Sequence, residues 1–138
     1  MNRMPQNIKL SKNARPVLVV DDEYYVTRGI SYLLQDEGLS CITKNDSDGV
    51  IELVAKERPQ VIVLDINIPK VDGFQVLKEV RQRKDFDDVV IMILTARGHE
   101  EDIQAGLALG ANEYILKPFN PLELRDKIKA VYAAKQGH

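Results

Sequence analysis

The chain has a single cysteine, Cys41, among 138 residues. One thiol forms no intramolecular disulfide and cannot build a cysteine-based zinc site, so the fold needs neither staple, and a reducing compartment suits it. Long apolar runs are missing too. The longest, Val89–Leu94, falls far short of the roughly 20 residues that span a bilayer. Residues 1–15 hold no apolar stretch that could act as a signal peptide. These absences point to a cytoplasmic protein with no membrane segment. Also absent are the glycine patterns that cradle nucleotides: no Gly-x-Gly-x-x-Gly follows the first apolar run, and no Gly-x-x-x-x-Gly-Lys-[Ser/Thr] occurs anywhere.

Acid is missing from the first fifteen residues, whose Arg3, Lys9, Lys12 and Arg15 are diluted among polar neighbours and read as a solvated basic leader. From Pro16 on, fifteen basic residues face twenty-one acidic ones, a net charge of −6. A body of that sign is a poor nucleic-acid binder, because such affinity rests on lysines and arginines that neutralise phosphates. The composition, 44% hydrophobic and 29% charged, is that of an ordinary soluble domain. A chain of this length makes one domain and buries about two thirds of its unfolded surface.

From Pro16 onward, apolar runs of strand length alternate with stretches of helical period. Val17–Val20, Ser40–Thr43, Val61–Leu64, Val89–Leu94 and Tyr114–Leu116 are aliphatic or β-branched runs bounded by Gly, Pro, Asp or Asn, and they predict five strands. Val26, Gly29, Ile30, Leu33 and Leu34 predict a first helix, with Gly38 where a C-cap glycine belongs. Val50, Leu53 and Val54 mark a second, and Phe74, Leu77 and Val80 a third. Ile103, Gly106 and Leu107 mark a fourth, closed by Gly110. Leu124, Ile128, Val131 and Tyr132 mark a fifth. Asp85, Asp87 and Asp88 read as a solvated loop.

Such alternation implies a parallel sheet with helices on both faces, a three-layer α/β sandwich of five strand–helix units joined by right-handed crossovers. The first, third and fourth runs are apolar throughout, as strands buried on both faces must be. The second contains Ser40 and Thr43 and the fifth is short, so these two are edges. Strand order 2-1-3-4-5, the flavodoxin-like order, satisfies this ranking, and ligands then bind beyond the carboxyl ends of strands one and three.

At those ends stand Asp21-Asp22-Glu23, Asp65, Thr95-Ala96 and Lys117-Pro118. Singly each has a bland explanation: a helix cap, a turn, a solvated lysine. Together they fall on one rim. Asp21, Asp22 and Asp65 against Lys117 leave a net charge of −2, which calls for a cation. A hard divalent ion held by one or two carboxylates and kept partly hydrated is the usual form of bound Mg²⁺.

With these residues in place, the sequence resembles the receiver domain of two-component response regulators over residues 16–136. The resemblance rests on Val19-Val20-Asp21-Asp22-Glu23, Leu64-Asp65-Ile66-Asn67-Ile68-Pro69 with Asp72-Gly73, Leu94-Thr95-Ala96, and Tyr114-Ile115-Leu116-Lys117-Pro118-Phe119. It implies a signalling switch, not an enzyme, in which Asp65 accepts a phosphoryl group from a phosphohistidine of a sensor histidine kinase or histidine phosphotransfer protein. It implies Mg²⁺ held by Asp22, Asp65 and the backbone carbonyl of Asn67, with Asp21 acting through a metal-bound water. Lys117, the Thr95 hydroxyl and the Ala96 amide would surround the phosphoryl oxygens. Thr95 and Tyr114 would form the switch, remodelling the face of helix four, strand five and helix five for a downstream protein or a second receiver. Asn67 and Arg97 would set phosphate lifetime.

Glu23 reads as a residue favouring the start of helix one through its dipole. Tyr25, Arg28 and Tyr32 flank that helix as a docking or packing surface. His99 and His138 lack ligand-spaced partners. The competing class is a metal-dependent phosphohydrolase of the haloacid-dehalogenase type, but Asp21-Asp22-Glu23-Tyr24 lacks its Asp-x-Asp spacing and no room remains for a cap domain. The six residues after Tyr132 leave no linker of any length, which suits a stand-alone receiver or a fragment.

Overall fold

A computed structural model describes residues 14–136. Most of the expected leader, residues 1–13, and His138 lie outside the described residues. Five strands, β1 (Val17–Val20), β2 (Cys41–Lys44), β3 (Val61–Leu64), β4 (Val90–Thr95) and β5 (Glu113–Leu116), alternate with α1 (Tyr24–Asp36), α2 (Val50–Glu57), α3 (Gly73–Arg81), α4 (Glu100–Ala108) and α5 (Pro121–Gln136). The sheet is parallel throughout, in the order β2-β1-β3-β4-β5. The interior and edge strands are those expected from the polarity of their runs.

Alternation along the strands divides the core into two. Leu18, Val20, Ile62, Leu64, Ile91 and Ile93 face α2 and α3 through Val50, Val54, Val76, Leu77 and Val80. Val17, Val19, Val61, Val63, Met92 and Leu94 face α1 and α5 through Val26, Ile30, Leu34, Leu124, Ile128 and Tyr132. Each such side chain contributes about 1.5–3 kcal/mol on full burial. β1 and β3 have no residue left exposed on either face, and this fixes them in the middle of the sheet.

Several local expectations shift. β2 begins at Cys41 because Val17 pairs with Cys41, and the Ser40 carbonyl accepts the Val17 N–H at 2.9 Å ahead of the ladder. In α1 the expected stripe loses Gly29, which is exposed, and gains Thr27, whose hydroxyl donates to the Tyr24 carbonyl and accepts from Asn45. In α4 Leu107 is exposed, because Gly106 alone fits beneath Ile93 and the Tyr114 ring. Gly38 does end α1, at φ +82°, in the left-handed region that glycine enters without strain. The expected solvated loop before β4 is instead a short 3-10 turn, Lys84–Phe86, pinned by the buried Phe86 ring. Its acids Asp85, Asp87 and Asp88 are exposed as expected, and two of them are paired, Asp85 with Arg58 and Asp88 with Arg15. Arg15, assigned from sequence to the leader, is thus held against the body; it also donates to the Arg58 and Pro59 carbonyls.

Candidate functional site

The ladder runs past the strand ends, and that extension carries the site. The Asp21 N–H donates to the Lys44 carbonyl, the Asp65 N–H to Val20 and the Lys117 N–H to Thr95, at 2.8–3.0 Å. Three ionic residues on three different strands therefore share the rigidity of the sheet. Asp21 and Asp65 are buried, and Asp22 is exposed. Each buried aspartate is also locked by the turn after it: Asp21 Oδ1 accepts from the Glu23 N–H and Asp65 Oδ1 from the Asn67 N–H, both at 2.8 Å.

The motif Asp72-Gly73 supports this edge from below. Asp72 caps α3 by accepting the Phe74 N–H at 2.9 Å. Gly73 lies so close to the Ile66 backbone that a Cβ would overlap Ile66 Cα and stand 2.9 Å from the Asp65 carbonyl oxygen. Only glycine allows α3 to start there, directly behind Asp65.

Lys117 Nζ is the hub. It lies 3.0 Å from Asp65 Oδ2, 2.9 Å from Asp21 Oδ2 and 2.6 Å from Glu23 Oε1. Burial alone would lower the lysine pKa, but Glu23, Asp21 and Asp65 together hold it above the ordinary lysine value, so it is charged. Asp21 moves the other way from most paired acids: burial pushes its carboxyl up, outweighing Lys117 and the Glu23 N–H. Glu23 is held down, first by Lys117 and then by the Tyr25 hydroxyl. It stands at the N-cap of α1, where a negative charge suits the helix dipole, makes no capping bond there and adds an ion pair with Lys117. Nothing in the local pattern signals that partnership, because the two residues are 94 positions apart.

Carboxylate oxygens of Asp21, Asp22 and Asp65 lie within 4.8 Å of one another. Asp21 Oδ2 is buried and accepts no hydrogen bond, its contact with Lys117 being an ion pair alone. An all-oxygen set with an orphaned buried acceptor fits a hard cation such as Mg²⁺. A cleft of about 620 Å³ opens over the cluster, lined by Asp22, Glu23, Asp65, Asn67, Ala96 and Lys117 together with Tyr25, Val26, Pro118 and Phe119. Thr95 is buried at the end of β4, its hydroxyl accepting weakly from the Arg97 N–H at 3.3 Å.

Arg97 does not line this cleft. Its guanidinium pairs with Asp102 at 3.1 Å and Asp72 at 3.9 Å and lies over the Phe74 ring, tying the start of α4 to the start of α3. Tyr114, half-buried on β5, packs its ring at Gly106 and donates its hydroxyl to the Arg97 carbonyl at 2.7 Å. Tyr25 and Tyr32 are exposed on α1, and Arg28 bonds Tyr24. No helix among the described residues is long and apolar enough to cross a membrane.

A family model described as the response regulator receiver domain matches residues 17–129. Among curated proteins, the chain is 39% identical to the alkaline phosphatase synthesis transcriptional regulatory protein PhoP of Bacillus subtilis, across 85% of this chain and 48% of that one. It is 37% identical to the phosphate regulon transcriptional regulatory protein PhoB of Escherichia coli, across 86% and 52%. The chain thus spans about half the length of these relatives. Among solved structures, the chemotaxis protein CheY4 of Vibrio cholerae superposes with a TM-score of 0.78 at 34% identity, covering 86% of this chain and 98% of that one.

Proposed function

The chain belongs to the response regulator receiver domain family, and on that premise we propose that Asp65 is its phosphoacceptor and the carboxyl edge of the sheet its phosphorylation site. One observation carries the assignment: of the two buried carboxylates in the acid cluster, Asp65 both accepts a hydrogen bond from Lys117 and lines the cleft, whereas Asp21 does not line it. A carboxylate oxygen of Asp65 attacks phosphorus as the bond between phosphorus and the donor breaks, and the electron pair leaves with the donor atom. For a phosphohistidine on a histidine kinase or phosphotransfer protein, that atom is the imidazole nitrogen.

Asp22, Asp65 and the Asn67 carbonyl would hold Mg²⁺, with Asp21 acting through a bound water. When bound, the ion neutralises charge between acid cluster and phosphoryl oxygens. Lys117 supplies a fixed positive charge at those oxygens, the Thr95 hydroxyl and Ala96 N–H donate to them, and Asn67 governs water access. The bond from Tyr114 to the Arg97 carbonyl supports a switch in which Thr95, drawn to the phosphoryl group, alters the loop on which Tyr114 rests. Arg97, turned away from the cleft, would act on phosphate lifetime through that loop. The readout face would be α4, β5 and α5, where Leu107, Leu116 and Leu122 are exposed, and its reader a protein partner or a second receiver. The matched family does not favour the phosphohydrolase alternative.

Intact mass after incubation with a small acyl phosphate tests the assignment. The wild type should gain one phosphoryl group only with Mg²⁺ present, and Asp65→Asn should gain none. Equal gain by Asp65→Asn would overturn it.

A further inference from the structure

Lys117 holds three acids on one ammonium. An ammonium has three donors, and three carboxylates stand on this one, the shortest contact going to Glu23. Glu23 lies outside the cluster of Asp21, Asp22 and Asp65. Its side chain is also the most exposed of the lysine's three partners, at 40% against 2% for Asp21 and 6% for Asp65. It is itself tethered: its second oxygen accepts from the Tyr25 hydroxyl at 3.0 Å, and Tyr25 is 72% exposed on α1. Two bonds therefore connect a surface tyrosine to the lysine of the cleft.

We propose that Glu23, steadied by Tyr25, is a positioning residue that restrains Lys117, and that the lysine exchanges Glu23 for oxygens of the incoming phosphoryl group. This rests on Asp65 being the acceptor. An incoming oxygen competes for the ammonium with the three acids already against it. Asp21 is buried and Asp65 is the reacting group, whereas a released Glu23 carboxylate is taken up by water at little cost. The exchange therefore runs through Glu23. Its grip is that of a partly exposed ion pair, which sets the effect at about two- to fivefold in rate. Tyr25, acting through Glu23, counts for less. Whatever covers the Tyr25 hydroxyl loosens the restraint, which couples the surface of α1 to the lysine.

The test uses the full chain, acetyl phosphate as donor and saturating Mg²⁺, with Mg²⁺ affinity measured for each variant so that saturation is assured. Glu23→Gln should phosphorylate about two- to fivefold faster than wild type, and Tyr25→Phe faster by less than twofold. In a Lys117→Ala background, with incubations lengthened to match, Glu23→Gln should have no effect. A Glu23→Gln rate equal to or below wild type overturns the restraint. An acceleration that persists without Lys117 overturns it as well, because Glu23 would then act through its field alone. Tyr25→Phe keeps the surface ring and tests the tether without touching the fold; no change there removes Tyr25 from the proposal. Phosphorylation of Asp65→Asn at the wild-type rate is a separate failure, that of the acceptor assignment itself.

Discussion

The two ends of the sheet treat charge in opposite ways. At the amino edge, Arg81 donates to the carbonyls of Gly110, Phe86 and Val89 and to Asn112 Oδ1. Asn112 Oδ1 in turn takes the Ile91 N–H at 2.8 Å. Arg15 closes the Arg58 and Pro59 carbonyls and pairs with Asp88. These cations are spent on neutral backbone acceptors and on one acid. At the carboxyl edge a single lysine serves three acids while a fourth, Asp22, stands exposed beside them. One edge is closed for stability; the other is left over-acidic, and that unbalanced charge is what a metal and a phosphoryl group would relieve.

The contrast breaks most visibly at Arg81. Arg81→Met removes donors from three carbonyls and one amide at once, and should cost about 3–4 kcal/mol in urea unfolding. The fraction that remains folded should accept phosphate at the wild-type rate. A slowed rate in folded protein would mean that the amino edge is not merely structural.

Gly73→Ala makes the matching change at the other end. Its Cβ would meet backbone at Ile66 and Asp65, which cannot move as a side-chain tip can. Overpacking of this kind costs about 1–3 kcal/mol. Here acceptance by Asp65 should fall in the folded protein too, read by intact mass at a temperature where the variant is fully native.

Much of this contrast was legible in the sequence, but unevenly. The complete burial of β1 and β3 follows from runs with no polar residue, and strand order from the polar second run and the short fifth. Asp21, Asp22, Asp65, Thr95 and Lys117 were legible because a parallel sheet delivers all strand ends to one rim. The amino-edge staples were not: Arg81 sits in the last turn of a helix and Asn112 in a loop, positions where exposed polar residues are the rule. Glu23 was placed at the start of the right helix, but its ion pair with Lys117 was not legible, because the dipole is a local effect and that pairing is not. Gly29 and Leu107 fit a helical stripe by spacing, yet the actual burial follows the neighbouring Thr27 hydroxyl and the tight seat at Gly106.

Asp21 offers a smaller effect with a sign that can be checked. Its folded carboxyl titrates above the unfolded value because burial penalises the charge. At neutral pH the folded state therefore carries a charge it would rather lose, and Asp21→Asn should be the more stable protein. As pH falls through the raised folded value, the wild type takes up a proton that its unfolded chain does not yet bind. Its stability relative to the variant rises. The advantage of Asp21→Asn should thus shrink between neutral pH and the ordinary aspartate value of 3.8, as followed by urea unfolding at stepped pH. A constant advantage would place the excess charge elsewhere on the edge.

The finest comparison uses one tyrosine at each end. Tyr132, buried on α5, donates its hydroxyl to the Arg15 carbonyl at 2.6 Å near the start of β1. Tyr114 donates its own to the Arg97 carbonyl at 2.7 Å, on the loop that follows Thr95. The two bonds are alike in donor, acceptor and length, so Tyr132→Phe and Tyr114→Phe should each cost about 0.5–1.5 kcal/mol in unfolding free energy. Their consequences differ because their acceptors differ. The Arg15 carbonyl belongs to the closed edge, where the surrounding backbone has its own staples. The Arg97 carbonyl belongs to a residue that also ties α3 to α4 through Asp72 and Asp102. Beryllofluoride, a stable phosphoryl mimic, should therefore shift the amide resonances of α4, β5 and α5 to the same extent in Tyr132→Phe as in wild type. In Tyr114→Phe, shifts should persist around Asp65 and weaken along α4 and β5. Equal responses in the two variants would show that the Tyr114 hydroxyl is a second staple, and that the switch runs through the ring alone or by another route.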